Sequence, residues 1–85
     1  MDVAVVTVGD ELLAGETENT NASWLGRRLT NRGATVRRMV VVPDERPVIA
    51  SVVREYADAF DAVLVTGGVG PTHDDVTLDG VAAAF

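Results

Sequence analysis

Three glycines, a proline, two aspartates and two threonines fall within eleven residues, Gly67-Gly68-Val69-Gly70-Pro71-Thr72-His73-Asp74-Asp75-Val76-Thr77. Glycines without Cβ atoms let successive backbone N–H groups turn inward as an anion-binding nest, and a helix N-terminus beside them adds partial positive charge. A phosphate suits such a nest. Asp74 and Asp75 would repel that phosphate unless a hard divalent cation such as Mg²⁺ lay between them. Glycines followed by paired acids therefore point to a metal-bridged phosphate. The plainer alternative is a tight strand-to-helix turn, with Asp75 favoured by the helix dipole.

Other candidate groups precede this loop. Asp10 and Glu11, after Gly9, offer carboxylates for a metal or a ribose hydroxyl, or form a solvated turn. Asn19, Thr20 and Asn21 supply amide and hydroxyl groups, with helix capping as the alternative for at least one of them. Asp44 fits a helix N-cap, yet it also stands where it could complete a cation site or orient a water. Arg27 and Arg28 reach phosphates only if they face the same edge. Trp24 is either a base-stacking or a packing residue, and the single histidine, His73, reads as a solvated loop side chain.

The elements that must position these groups alternate strand and helix. Residues 3–8 form an apolar, β-branched run without alternation, as in a strand buried on both faces of a parallel sheet. A helix over roughly 21–32 follows, with Ala22, Leu25 and Leu29 on one face and Gly33 as its stop. A second strand spans 35–42, with Met39 to Val42 as its buried half, and Pro43 ends it. Asp44 then caps a helix that carries Pro47 in its first turn and Ile49, Val52, Val53, Tyr56, Ala57 and Phe60 at helical spacing. A third strand, 62–66, enters the glycine loop, and Thr77 caps a last helix that reaches Phe85 without a stop signal. The order implies parallel strands, right-handed crossovers and a three-layer α/β/α domain with every β-to-α loop on one edge. No boundary divides the 85 residues, which are expected to be the N-terminal portion of one domain.

Composition narrows the partners. The net charge is −6, from thirteen carboxylates and seven basic residues, all of them Arg. Such an acidic surface repels phosphate backbones and argues against a nucleic-acid groove. No apolar stretch is long enough to span a bilayer and no secretory signal pattern opens the chain, so the expected location is cytoplasmic, away from membranes. Cysteine is absent, which excludes thiolate chemistry. There is no Walker motif, and Gly9-Asp10-Glu11-Leu12-Leu13-Ala14-Gly15 does not fit a dinucleotide fingerprint.

That segment, with Asn19-Thr20-Asn21, Pro43-Asp44 and Thr66 to Thr77, resembles the MoaB/Mog molybdopterin-binding domain family, and most nearly its CinA-like branch, typified by the N-terminal domain of a competence/damage-inducible protein. The resemblance covers essentially the whole chain. It implies a three-layer α/β domain about twice this length, commonly a homo-oligomer. In the cofactor-synthesis members a glycine loop holds the pterin phosphate or nucleotide while two aspartates assist Mg²⁺-dependent adenylyl transfer. By motif those roles fall here on Asp75 and Asp44 as catalytic groups and on Asp75 and Asp74 as metal ligands. Gly67, Gly68, Gly70, Pro71, Thr72, Gly9, Asp10, Glu11 and Asn21 would then bind phosphate or nucleotide. The CinA-like branch implies a metal-dependent pyrophosphatase on ADP-ribose, and Val69, where cofactor-synthesis members usually carry Thr, favours that branch. The alternatives are molybdopterin adenylyl transfer and a non-catalytic nucleotide- or pterin-binding module.

Overall fold

The computed structural model describes residues 1–15 and 20–67, with the side chains of Thr20 and Asn21 excepted. Its elements are β1 (Asp2–Val8), α1 (Asp10–Leu13), α2 (Thr20–Asn31), β2 (Thr35–Val42), α3 (Arg46–Ala59) and β3 (Ala62–Gly67). The expected last helix lies outside the described residues.

The three strands form one parallel sheet in the order β2-β1-β3. β1 is the middle strand, and Val3, Ala4, Val5, Val6, Thr7 and Val8 are all buried. This is what its unalternating apolar run requires, because a strand covered on both faces has no polar side to show. The connection through α2 leads from β1 to the neighbouring β2. The next, through α3, crosses β1 to reach β3. Right-handed crossovers in opposite directions place the two helices on opposite faces and give the three-layer α/β arrangement.

α3 lays Ile49 and Val53 on Val6, Val8 and Val42, flanked by half-buried Val40, Val52, Tyr56, Val63 and Val65. Tyr56 and Phe60, one turn apart, meet edge to face with centroids 5.6 Å apart. α2 buries Ala22 and half-buries Leu25 and Leu29, as their spacing requires. It ends at Gly33, whose φ of 88° is in the left-handed region. The Ala34 N–H reaches back to the Leu29 carbonyl oxygen at 3.0 Å, closing the helix end.

Three expectations change. The loop after β1 contains the short helix α1, bracketed by Gly9 and Gly15, with Asp10 and Glu11 in its first turn where the backbone dipole favours acids. Asp44 does not cap α3: Glu45 holds the N-cap position in extended conformation without a side-chain cap bond, and Asp44 is one residue too early. Met39 is 43% exposed, and of residues 39–42 only Val42 is buried, because β2 is the margin of the described sheet and not its interior.

Ile49 is fully buried between α3 and the sheet. Ile49→Ala in the intact protein is expected to cost about 2–5 kcal/mol of unfolding free energy. Ser51→Ala, on the exposed side of the same helix, should change it by less than about 0.5 kcal/mol. Urea denaturation of both variants checks the difference.

Candidate functional site at the carboxyl edge of the sheet

Parallel pairing sets the three strand ends level. Val8 is opposite Val42 on one side and Gly67 on the other, so the loops after all three strands leave from one line. With neighbouring strands about 4.8 Å apart, the glycine loop and the Pro43-Asp44 turn start roughly 10 Å from each other across β1.

The β1 and β2 loops are tied together directly. The Gly9 N–H donates to the Val42 carbonyl oxygen at 3.0 Å, which extends the ladder one residue past β1. Beyond it, Asp10 Oδ1 accepts the Asp44 backbone N–H at 3.1 Å. The Glu45 N–H donates to the Pro43 carbonyl oxygen at 2.8 Å and tightens the same turn. Asp44 is half-buried, with its Oδ1 out of contact with solvent. Asp10 and Asp44 are thereby tied at one end of the β1–β2 pair, each followed in sequence by a glutamate.

On the other side of β1, Gly67 takes a φ of 85°. A Cβ there would collide with the Val8 carbonyl oxygen and lie 3.1 Å from its nitrogen. The neighbouring strand thus requires glycine at the point where the loop begins. Gly9 is different: its φ of 170° is extended backbone open to any residue, and an added Cβ would press chiefly on the movable Glu11 carboxylate. One residue inward, the Thr7 and Thr66 hydroxyls pair at 3.2 Å across the β1–β3 seam.

Of the expected site residues, Gly9, Asp10, Glu11, Asp44 and Gly67 come together at this edge. Asn21 is in the first turn of α2, and its side chain is not described. Gly68, Gly70, Pro71, Thr72, Asp74 and Asp75 lie outside the described residues, as does His73. Arg27 and Arg28 are seven or eight residues into α2, roughly 10 Å along its axis from the edge. Trp24 is 52% exposed, with the Arg28 guanidinium 5.1 Å from its ring centroid, so it is not a core residue. Sequence reasoning missed the Asp10–Asp44 tie and the threonine pair. Among the described residues no group of three metal-binding side chains is gathered. The donors at hand are carboxylate oxygens, which suit a hard divalent cation if further acids join them from the glycine loop.

Fold and edge chemistry define a parallel-sheet α/β domain that gathers its polar groups beyond the strand ends. Within that class, the chain belongs to the family described as the probable molybdopterin binding domain, which matches residues 4–85. It is 49% identical over 84 residues to a CinA-like protein of Frankia casuarinae, covering 99% of this chain and 19% of that one. A protein of Archaeoglobus fulgidus is 45% identical over 85 residues, with 37% of its length covered. The crystal structure of the protein CinA from Thermoplasma acidophilum superimposes with a TM-score of 0.92 at 43% identity, over 99% of this chain and 51% of that one. The molybdopterin biosynthesis enzyme MoaB of Thermus thermophilus gives 0.77 at 33% identity, over 95% and 52%. The chain thus spans about half the length of these solved relatives and less of the curated ones.

Gly67→Ala is expected to destabilise the intact protein by about 2–4 kcal/mol, combining a strained φ with overpacking against Val8. Gly9→Ala should cost no more than about 1 kcal/mol, since only a flexible side chain must move. Thermal denaturation of the two variants side by side tests this, and equal losses would refute it.

Proposed function

We propose that the protein of which this chain forms part is a metal-dependent pyrophosphatase acting on ADP-ribose-type substrates. The observation that carries it is the union at one sheet edge of Asp10, Asp44 and the start of the glycine loop. Likeness to CinA and CinA-like proteins over nearly the whole chain supports the same branch.

In this reading Asp75 and Asp74, aided by Asp44, hold a divalent cation. That ion supplies charge neutralisation at a phosphoryl oxygen and a more acidic water. The chain's own residues do the rest. Backbone N–H groups of Gly68 and Gly70 bind the neighbouring phosphate, and Gly67 lets the loop leave β3 hard against β1. Asp44 is held in its turn by Asp10, so its carboxylate has a fixed place from which to orient the attacking water. Attack at phosphorus breaks one bridging P–O bond and yields AMP and a sugar phosphate. Asp10, Glu11 and Asn21 are the candidates for the ribose hydroxyls.

The second reading is molybdopterin adenylyl transfer at the same edge, supported by the family description and the likeness to MoaB. A non-catalytic nucleotide- or pterin-binding module is a third. A cytoplasmic homo-oligomer is part of the proposal. Among the described residues no helix is long and apolar enough to cross a membrane.

The full-length protein is expected to release AMP from ADP-ribose with Mg²⁺ or another divalent ion, and Asp75→Asn to lower kcat/KM by about a hundredfold or more. Asp10→Ala, which frees the Asp44 turn, should cost about tenfold, as for a group that orients a ligand. No AMP with any divalent metal sinks the pyrophosphatase. Adenylylated pterin formed from ATP would establish the second reading, and tight binding without turnover, undiminished by Asp75→Asn, the third.

A further inference from the structure

Charge is unevenly spread along the chain. Residues 20–43 hold Arg27, Arg28, Arg32, Arg37 and Arg38 without a single Asp or Glu, in a protein whose net charge is −6. All five arginines are exposed and fall on α2, the turn after it and β2. One of them, Arg37, meets Asp2 at 3.3 Å, in an exposed pair of little energetic weight.

A groove of about 460 Å³ runs beside these charges, lined by Ser23, Gly26, Arg27, Thr30, Asn31 and Met39. The helical positions recur at three- and four-residue spacing, so they form one flank of α2, next to the stripe that Ala22, Leu25 and Leu29 turn to the sheet. Gly26 and Met39 make an apolar floor. A Cβ at Gly26 would be 2.6 Å from the Met39 methyl, so the missing side chain is what lets Met39 lie against the helix.

The other wall is the outer margin of β2. Among the described residues β2 pairs with β1 alone, which leaves its far side for another strand, although the Arg37 carbonyl oxygen already accepts from the Arg38 guanidinium at 2.9 Å. The register with β1 slips once, between Val3/Val36 and Ala4/Arg38, and then runs regularly to Val42. A bulge at Arg37, with Arg38 next to it, guards the edge against unselective pairing. It does not guard against an acidic strand.

We propose that the α2–β2 groove receives an extended acidic segment of a partner protein, added as a new strand along Arg38–Val42. Main-chain hydrogen bonds to β2 would supply affinity, and alternate side chains would supply selectivity. One set, apolar, covers Gly26 and Met39 on the α2 side, where Arg27 adds its charge to the groove wall. Carboxylates on the other set meet Arg38, which alternation puts on the face opposite Met39. Trp24, exposed beneath Arg28 one residue from Ser23 of the groove, is of the residue type that interfaces favour. The same edge of a second copy carries no carboxylate to meet these arginines, so the charge pattern favours an acidic guest over it. None of these groups belongs to the carboxyl-edge site.

The test uses the full-length protein and a fluorescein-labelled alternating Glu-Val decapeptide, read by anisotropy, with a Lys-Val decapeptide and a Glu-Val peptide interrupted by prolines as controls. The Glu-Val peptide is expected to bind. The Lys-Val peptide should fail for want of charge, and the proline peptide for want of backbone donors. Arg27→Glu with Arg38→Glu, both at exposed positions, should weaken binding about tenfold or more while leaving the circular dichroism and the AMP-releasing activity unchanged. Equal binding of the proline peptide would overturn strand addition. Binding untouched by the double charge reversal, or no binding of the acidic peptide, would overturn the groove. So would sedimentation data in which the same reversal dissociates a homo-oligomer without altering peptide affinity, since the occupant would then be a second copy.

Discussion

β1 is buried on both faces and paired on both edges, and almost everything else in the fold is placed by that requirement. A strand in a dry interior must satisfy its backbone groups through its neighbours. Parallel ladders on each side do so, and they bring β2 and β3 into step with it. Parallel neighbours in turn demand crossovers, which the helices provide. The level line of Val42, Val8 and Gly67 is therefore a result of pairing, and the gathering of polar loops beyond it follows from the same cause.

The polar groups then divide by location. Carboxylates stand at the carboxyl edge, held by backbone: Asp10 takes the Asp44 N–H, and Gly9 continues the ladder to Val42. Arginines stand along α2 and the open margin of β2. The arginines of α2 and β2 and the carboxylates of the edge stand on separate surfaces, and the exposed pair of Arg37 with the N-terminal Asp2 contributes little. What such separation provides is a local potential of defined sign at each surface.

Much of this order was legible in the residues. The unalternating run Val3 to Val8 announced a doubly covered strand, Gly33 announced a helix end, and the spacing of Ile49, Val53 and Tyr56 announced the face of α3. What was not legible depended on neighbours. Met39 lies in an apolar run identical in character to a buried strand, and its exposure goes with β2 being marginal among the described strands. Asp44 has the side chain of a cap, but the cap position falls on Glu45, while the Asp44 N–H is satisfied by Asp10, 34 residues earlier in the chain. No local propensity encodes a bond of that range. α1 was hidden because four residues between two glycines give too short a pattern for helical periodicity.

Gly67 shows how the meaning of a motif changes once its surroundings are known. A glycine at the head of a Gly-rich loop suggests a backbone laid bare for a phosphate. Here the missing Cβ is demanded by the Val8 carbonyl, and the positive φ turns the chain off the end of β3. That glycine would be needed whether or not a ligand bound. Chemistry at this edge accordingly rests on the acids and not on that glycine. A tight turn explains Gly67 fully, whereas packing does not explain why Asp10 should hold a turn that carries a second carboxylate. The Asp10 bond fixes that turn on the same edge from which the glycine loop departs, so the Asp44 side chain starts from a set place in the sheet's carboxyl-end surface.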